Sequence, residues 1–177
     1  SRGNQFAMMH WGLIPHWSKE KKFKYSTINA RAETVAEKPV YRTPFKRTRC
    51  LVPSTGFYEW NNEGRKTKQP YLIQESHHVL MAFAGLWDHW TDGEENIDSF
   101  SIIVTDANKT IKPVHDRMPV ILKPQDYDYW LSPDADADVL MRLLVPVANE
   151  DVVLTPVSRH VNNPQNDDPA CIAPVAR

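Results

Sequence analysis

Two cysteines, six glycines and no long apolar run are what this chain of 177 residues has least of, and each shortage removes a class of protein. Cys50 and Cys171 are too few for a disulfide framework or a Cys-rich zinc site, so a reducing, cytoplasmic setting is expected. No stretch approaches the roughly 18 apolar residues that a membrane span needs. Low-complexity and collagen-like bias are absent as well. So are a phosphate-cradling Gly loop, a His-Glu-x-x-His pair, a Gly-x-Ser-x-Gly elbow and a Cys-x-x-Cys motif. No metal, no other cofactor and no membrane partner are therefore expected. The seven histidines are scattered, and the adjacent His77-His78 pair reads as solvated in a polar turn.

What is present is ordinary globular composition, 41% hydrophobic and 24% charged, at a length that suits one domain. The formal charge of −1 hides an asymmetry: residues 1–68 hold 14 Lys or Arg against 5 Glu, and the remainder holds 7 basic against 17 acidic residues. A basic face for a polyanion is allowed by that split, although a solvated face with no partner would look the same.

Short apolar or aromatic segments bounded by turn residues read as strands: Phe6 to Trp11, Cys50 to Pro53, Gly56 to Trp60, Tyr71 to Gln74, Val79 to Leu86, Phe100 to Thr105, Val120 to Leu122 and Val152 to Val157. The polar run Asn61 to Lys66 reads as a hairpin connection. Helical patterns are fewer: Arg31 to Glu37, Tyr41 to Arg47, Pro124 to Leu131 and Asp136 to Leu144. The expected fold is α+β and mainly β, a single compact domain spanning 1–177 with a barrel-like mixed sheet and a few short helices. The chain enters its first expected strand within a few residues and without Met, so a leading segment that pairs with it is expected to be absent.

Three segments place polar groups where packing alone does not ask for them. In Ile28 to Thr34, Asn29 and Arg31 precede a helical pattern, and Asn29 is either a helix N-cap or a functional amide. In Pro53 to Trp60, Glu59 lies between two aromatics in an apolar strand. Facing inward, its carboxyl would be desolvated and fit to carry a proton near neutral pH; facing outward, it would be a solvated acid. In Val114 to Pro119, His115 stands beside Asp116 and Arg117, so that the acid orients the imidazole or merely makes a local surface ion pair.

These segments also carry a family resemblance. Met9-His10-Trp11-Gly12-Leu13-Ile14-Pro15-His16-Trp17, Asn29-Ala30-Arg31-Ala32-Glu33-Thr34, Gly56-Phe57-Tyr58-Glu59-Trp60, Val104-Thr105, His115-Asp116-Arg117-Met118-Pro119 and Pro156-Val157-Ser158 through Val161-Asn162-Asn163-Pro164 occur in that order. The ordered set, from about Met8 to about Pro164, resembles the SOS response-associated peptidase (SRAP) family. The resemblance implies a compact, mainly β fold with a cleft, single-stranded DNA as partner, covalent capture of abasic sites and autoproteolytic removal of the initiator Met. It implies a monomeric, DNA-associated protein of the SOS and DNA-repair response.

In that family the nucleophile is a cysteine directly after the initiator Met, in a Met-Cys-Gly-Arg opening that these 177 residues do not contain. The resemblance implies that Glu59 is the general acid/base, that His115 protonates the sugar or aldehyde oxygen, and that Asn29 positions the amine or the aldehyde. Arg31 and Arg117 are expected on phosphates flanking the lesion, Trp17 on an exposed base, and Thr105 as a donor to a phosphate. Two other readings fit the same residues, a non-catalytic single-stranded DNA-binding module and a thiol peptidase acting on other proteins.

Overall fold

A computed structural model describes residues 4–21, 25–61 and 68–175, and its frame is a long antiparallel hairpin of β6 (Met81–Thr91) and β7 (Asn96–Asp106). The turn between them holds Gly93 at φ +94, which an L side chain would strain, and Asp92 accepts the backbone N–H groups of Glu94 and Glu95 at 3.1 and 2.9 Å. Around the hairpin, β3 (Arg49–Ser54) and β9 (Ile121–Leu122) pair antiparallel with β6, and β8 (Arg117–Pro119) antiparallel with β7. Two very short strands, β1 (His10–Trp11) and β2 (Asn29–Arg31), run parallel to successive stretches in the middle of β7, opposite Ser99 and Phe100 and opposite Ile102 to Val104. This seven-stranded sheet is open: its path runs β1-β7-β6-β3 and does not close into the barrel-like form expected. A separate antiparallel sheet has the order β10-β5-β4, from β4 (Phe57–Asn61), β5 (Gln69–Glu75) and β10 (Val152–Pro156).

Alternation along the central strands divides the core in two. Ala84, Leu86 and Ile103 point to the face covered by α1 (Arg42–Arg47), α2 (Tyr127–Leu131) and α3 (Ala137–Leu143), where Phe45, Trp130 and Leu140 fill the interior. Phe83 and Ile102 point the other way and meet Ile73 and Val152 of the smaller sheet. The buried Arg49 ties the helical layer to β3, donating from Nε to Trp130 O and from Nη1 to Phe45 O, both at 2.7 Å, and from Nη2 to Ser132 O. Part of the basic N-terminal charge is thus structural.

The mainly β, single-domain expectation holds, with local corrections. Of Phe6 to Trp11 only the last two residues form a strand, and Phe6 and Met8 are almost wholly exposed. Arg31 to Glu37 gives one 3-10 turn, Ala32–Thr34, not a longer helix. The expected hairpin connection falls largely on 62–67, outside the described residues; its flanks do pair, Asn61 opposite Gln69.

Candidate functional site

Between the two sheets opens a cleft of about 720 Å³. Strand β4 supplies one wall with Phe57, Tyr58, Glu59 and Trp60; the larger sheet supplies the other with Trp11, Asn29, Arg31, Phe100 and Val104. His115 and Arg117, at the entry to β8, complete the rim. Gly56 makes the bend into β4 possible: a Cβ there would stand 2.9 Å from the backbone oxygen of Ile73. The cleft therefore gathers five of the seven residues expected at the site, Asn29, Arg31, Glu59, His115 and Arg117, from three separate parts of the chain.

Glu59 faces the cleft with a side chain 22% exposed. Burial pushes its carboxyl above its ordinary pKa, with His115 and the Trp60 backbone amide pulling the other way. The Nδ1 of His115 stands 3.8 Å from Oε1 of Glu59. It also lies 3.0 Å from the Arg117 backbone N–H, which donates to it, and 3.1 Å from the Arg117 carbonyl. Of the two readings of Asp116, the local surface ion pair is the one found, made with Lys112 at 2.9 Å, and it is the Arg117 backbone that contacts the His115 ring.

Asn29 opens β2 and caps no helix; its carbonyl accepts from the Tyr41 hydroxyl at 3.2 Å, and its side chain lies in the cleft lining. Arg117 is held by Glu33 and, at 3.4 Å, by Asp106. Two expected residues are not in the cleft. Trp17 is half exposed on the surface beyond the lining. Thr105 is buried and outside the cleft lining, one position on from cleft-lining Val104 in β7, where alternation turns it to the opposite face. Of the lysines that follow Trp17 in the sequence, Lys21 pairs with Glu95, and Lys22 and Lys24 lie outside the described residues.

Aromatic residues the sequence did not single out dominate the walls. Trp11 is stacked on Phe100, with ring centroids 6.3 Å apart and planes 11° off parallel, and its Nε1–H donates to Ile28 O at 2.9 Å; half of it stays exposed. Trp60 donates to Asn162 Oδ1 at 2.8 Å, and the Tyr58 hydroxyl to the Cys171 carbonyl at 3.3 Å, which anchors β4 on the C-terminal segment. The signal available in sequence was an aromatic in each of two motifs already quoted.

Neither cysteine belongs to the cleft lining. Cys50 packs against Gly85, and burial pushes its thiol up to about 12, far from a reactive thiolate. Cys171 shares a cluster with His160 and Asp168 whose donor atoms lie within 4.8 Å of one another. Its hydrogen bonding is that of a staple. Asn166 Nδ2 donates to His160 O at 2.7 Å and lies 3.1 Å from His160 Nδ1, and His160 Nε2 stands 2.8 Å from Asp168 Oδ2, so these side chains tie the C-terminal turns to one another. Among the described residues, no helix is long and apolar enough to cross a membrane.

Comparisons with known proteins agree with this architecture. The family model described as SOS response associated peptidase (SRAP) matches residues 1–164. The chain is 43% identical over 171 residues to the abasic site processing protein YoqW of Bacillus subtilis (strain 168), covering 96% of this chain and 76% of that one. It is 36% identical over 197 residues to the abasic site processing protein HMCES of Xenopus tropicalis, covering 96% of this chain and 57% of the relative. An X-ray crystal structure of a protein from Bacteroides thetaiotaomicron superposes with a TM-score of 0.86 at 33% identity, over 95% of this chain and 76% of that chain.

Proposed function

Because the chain belongs to the SOS response associated peptidase family, we propose that it processes abasic sites in single-stranded DNA by capturing them covalently. The observation that carries this reading is the meeting of a half-buried carboxyl, an imidazole and an amide, Glu59, His115 and Asn29, in one aromatic-walled cleft rimmed by Arg31 and Arg117.

A ring-opened abasic site exposes an aldehyde. In this reading an N-terminal cysteine, which the resemblance places directly after the initiator Met and outside these 177 residues, provides the α-amine and the thiol. The amine adds to the aldehyde carbon, the carbinolamine loses water to give an imine, and the thiol adds to the imine carbon and closes a thiazolidine. Each step moves a proton. Glu59, whose burial makes the neutral form accessible, takes the proton from the attacking amine and returns it to the departing hydroxyl. His115 donates to the sugar or aldehyde oxygen and favours the open form. Asn29 needs no ionisation and holds the amine or the aldehyde by hydrogen bonds. Glu59 also activates the water that removes the initiator Met. Cys50 and Cys171 take no part, since neither lines the cleft.

Arg31 and Arg117 pair with phosphates beside the lesion, as guanidinium forks suit phosphate oxygens. The outer face of Trp11 stacks on a neighbouring base, and Trp17, exposed beyond the cleft, offers a second stacking face farther along the strand. The protein acts as a DNA-associated monomer.

The test is incubation of the full-length protein, translated from its own initiator Met, with an abasic single-stranded oligonucleotide, followed by a denaturing gel. A heat-stable adduct, slowed about 100-fold or more by Glu59→Gln, is expected. No adduct from a folded protein that still binds the oligonucleotide would leave the binding-module reading standing, and cleavage of added peptides with turnover would favour the peptidase reading.

A further inference from the structure

Glu33 has no part in the chemistry above, yet it touches the group expected to hold DNA. It sits on the 3-10 turn Ala32–Thr34 that follows β2, and its Oε1 accepts from Nη1 of Arg117. The Oδ1 of Asp106 lies 3.4 Å from the same nitrogen. A guanidinium presents its donors in a rigid planar fork, so fixing one nitrogen fixes where the others point. With both carboxylates on Nη1, the edge formed by Nε and Nη2 is the one left for a bidentate oxyanion. Burial works against ionisation of Glu33, but the contact with Arg117 outweighs it and holds the carboxyl below its ordinary value. The pair is thus ionised at neutral pH.

We propose that Glu33 is a positioning residue which, with Asp106, pins Nη1 of Arg117 and presents the opposite edge of its guanidinium to a DNA phosphate at the mouth of the cleft. The inference rests on Arg117 contacting phosphate. A carboxylate at this spot has two opposed effects: it repels the DNA backbone, and it removes the rotamer freedom that a long exposed side chain would otherwise lose on binding. The second effect prevails here because Glu33 is neutralised by the guanidinium it holds, and because Arg117 would otherwise be free to swing into solvent.

The experiment measures binding of a fluorescent single-stranded oligonucleotide carrying a tetrahydrofuran abasic analogue, which has no aldehyde and cannot react. Full-length protein and its variants are titrated by anisotropy at several salt concentrations, and thermal unfolding of each variant reports its fold. Arg117→Ala and Glu33→Ala are each expected to weaken binding about three- to tenfold and to reduce the slope of log K against log salt by roughly 0.7, one single-strand phosphate contact. The double variant should bind no more weakly than Arg117→Ala alone, because both lose the same contact. Glu33→Gln, which keeps an oxygen acceptor for Nη1, should recover most of the affinity.

Unchanged or tighter binding by Glu33→Ala, or losses that multiply in the double variant, would overturn the positioning role while leaving the Arg117 contact intact. Arg117→Ala with unchanged affinity and slope would overturn the phosphate contact itself, and the inference with it.

Discussion

The Nδ1 of His115 lies 3.8 Å from Oε1 of Glu59, across the cleft that separates the larger sheet from β4. The same nitrogen has the Arg117 N–H at 3.0 Å and the Arg117 carbonyl at 3.1 Å. A neutral imidazole accepts from the first; a protonated one donates to the second and faces a carboxylate. The neutral ring thus accepts the Arg117 N–H, whereas protonation of Nδ1 gives up that bond for the Arg117 carbonyl and the Glu59 carboxylate, so a proton taken up or released exchanges partners around one ring position.

Glu59→Gln should raise thermal stability at alkaline pH even as it slows chemistry. Because burial raises its pKa, Glu59 is protonated at a higher pH in the folded than in the unfolded chain. The native state therefore loses stability as pH rises through that range and keeps it below. Glutamine carries no such penalty. An increase in Tm of about 1–3 °C at pH 8 that shrinks toward pH 4 is expected; a difference independent of pH would show that the carboxyl is not strained by its surroundings.

Gly85→Ala should destabilise the larger sheet by about 1–3 kcal/mol, since its Cβ would lie 2.7 Å from Cys50 Sγ and 2.9 Å from Val52 Cγ2. Adding Cys50→Ala removes the nearer atom and should restore part of the loss, as denaturant unfolding would measure. Cys50→Ala alone should leave adduct yield unchanged, because that thiol is buried outside the cleft lining. A lost adduct in that variant would place Cys50 in the reaction after all.

Trp11→Ala should weaken binding to single-stranded DNA by about 1–3 kcal/mol, the range for one stacked base. The ring is already fixed on Phe100 and by its bond to Ile28 O, so little ordering is needed when a base stacks on its outer face. Trp11→Phe should retain most of the affinity. Fluorescence anisotropy measures both, and equal losses in the two variants would argue for a packing role.

Much of this arrangement could be read from the sequence where interactions are local. The segment Cys50 to Pro53 widens by one residue at each end into Arg49–Ser54, and Tyr41 to Arg47 loses one residue to become Arg42–Arg47. Asn29 was ambiguous because β2 exists only through parallel pairing with β7, about seventy residues away, and three residues carry no readable alternation. Glu59 was equally open: β4 is an edge strand of the smaller sheet, and all five of its residues are half-buried, so no inward and outward face could be told apart. Thr105 differs from Val104 by one step of the pleat, and it is Val104 that lines the cleft. The Glu33–Arg117 pair joins residues brought together only by the packing of β2 and β8 on β7, which no motif spacing encodes.

The most direct test of the central claim is the single-turnover rate of adduct formation with abasic single-stranded DNA, measured from pH 4 to 9 for the full-length protein, Glu59→Gln and His115→Ala. If the carboxyl and imidazole in the cleft move the protons, the parent rate rises through an acidic limb that Glu59→Gln abolishes while lowering the plateau, and His115→Ala alters the profile in its own way. Profiles of the same shape and height in all three proteins would contradict it.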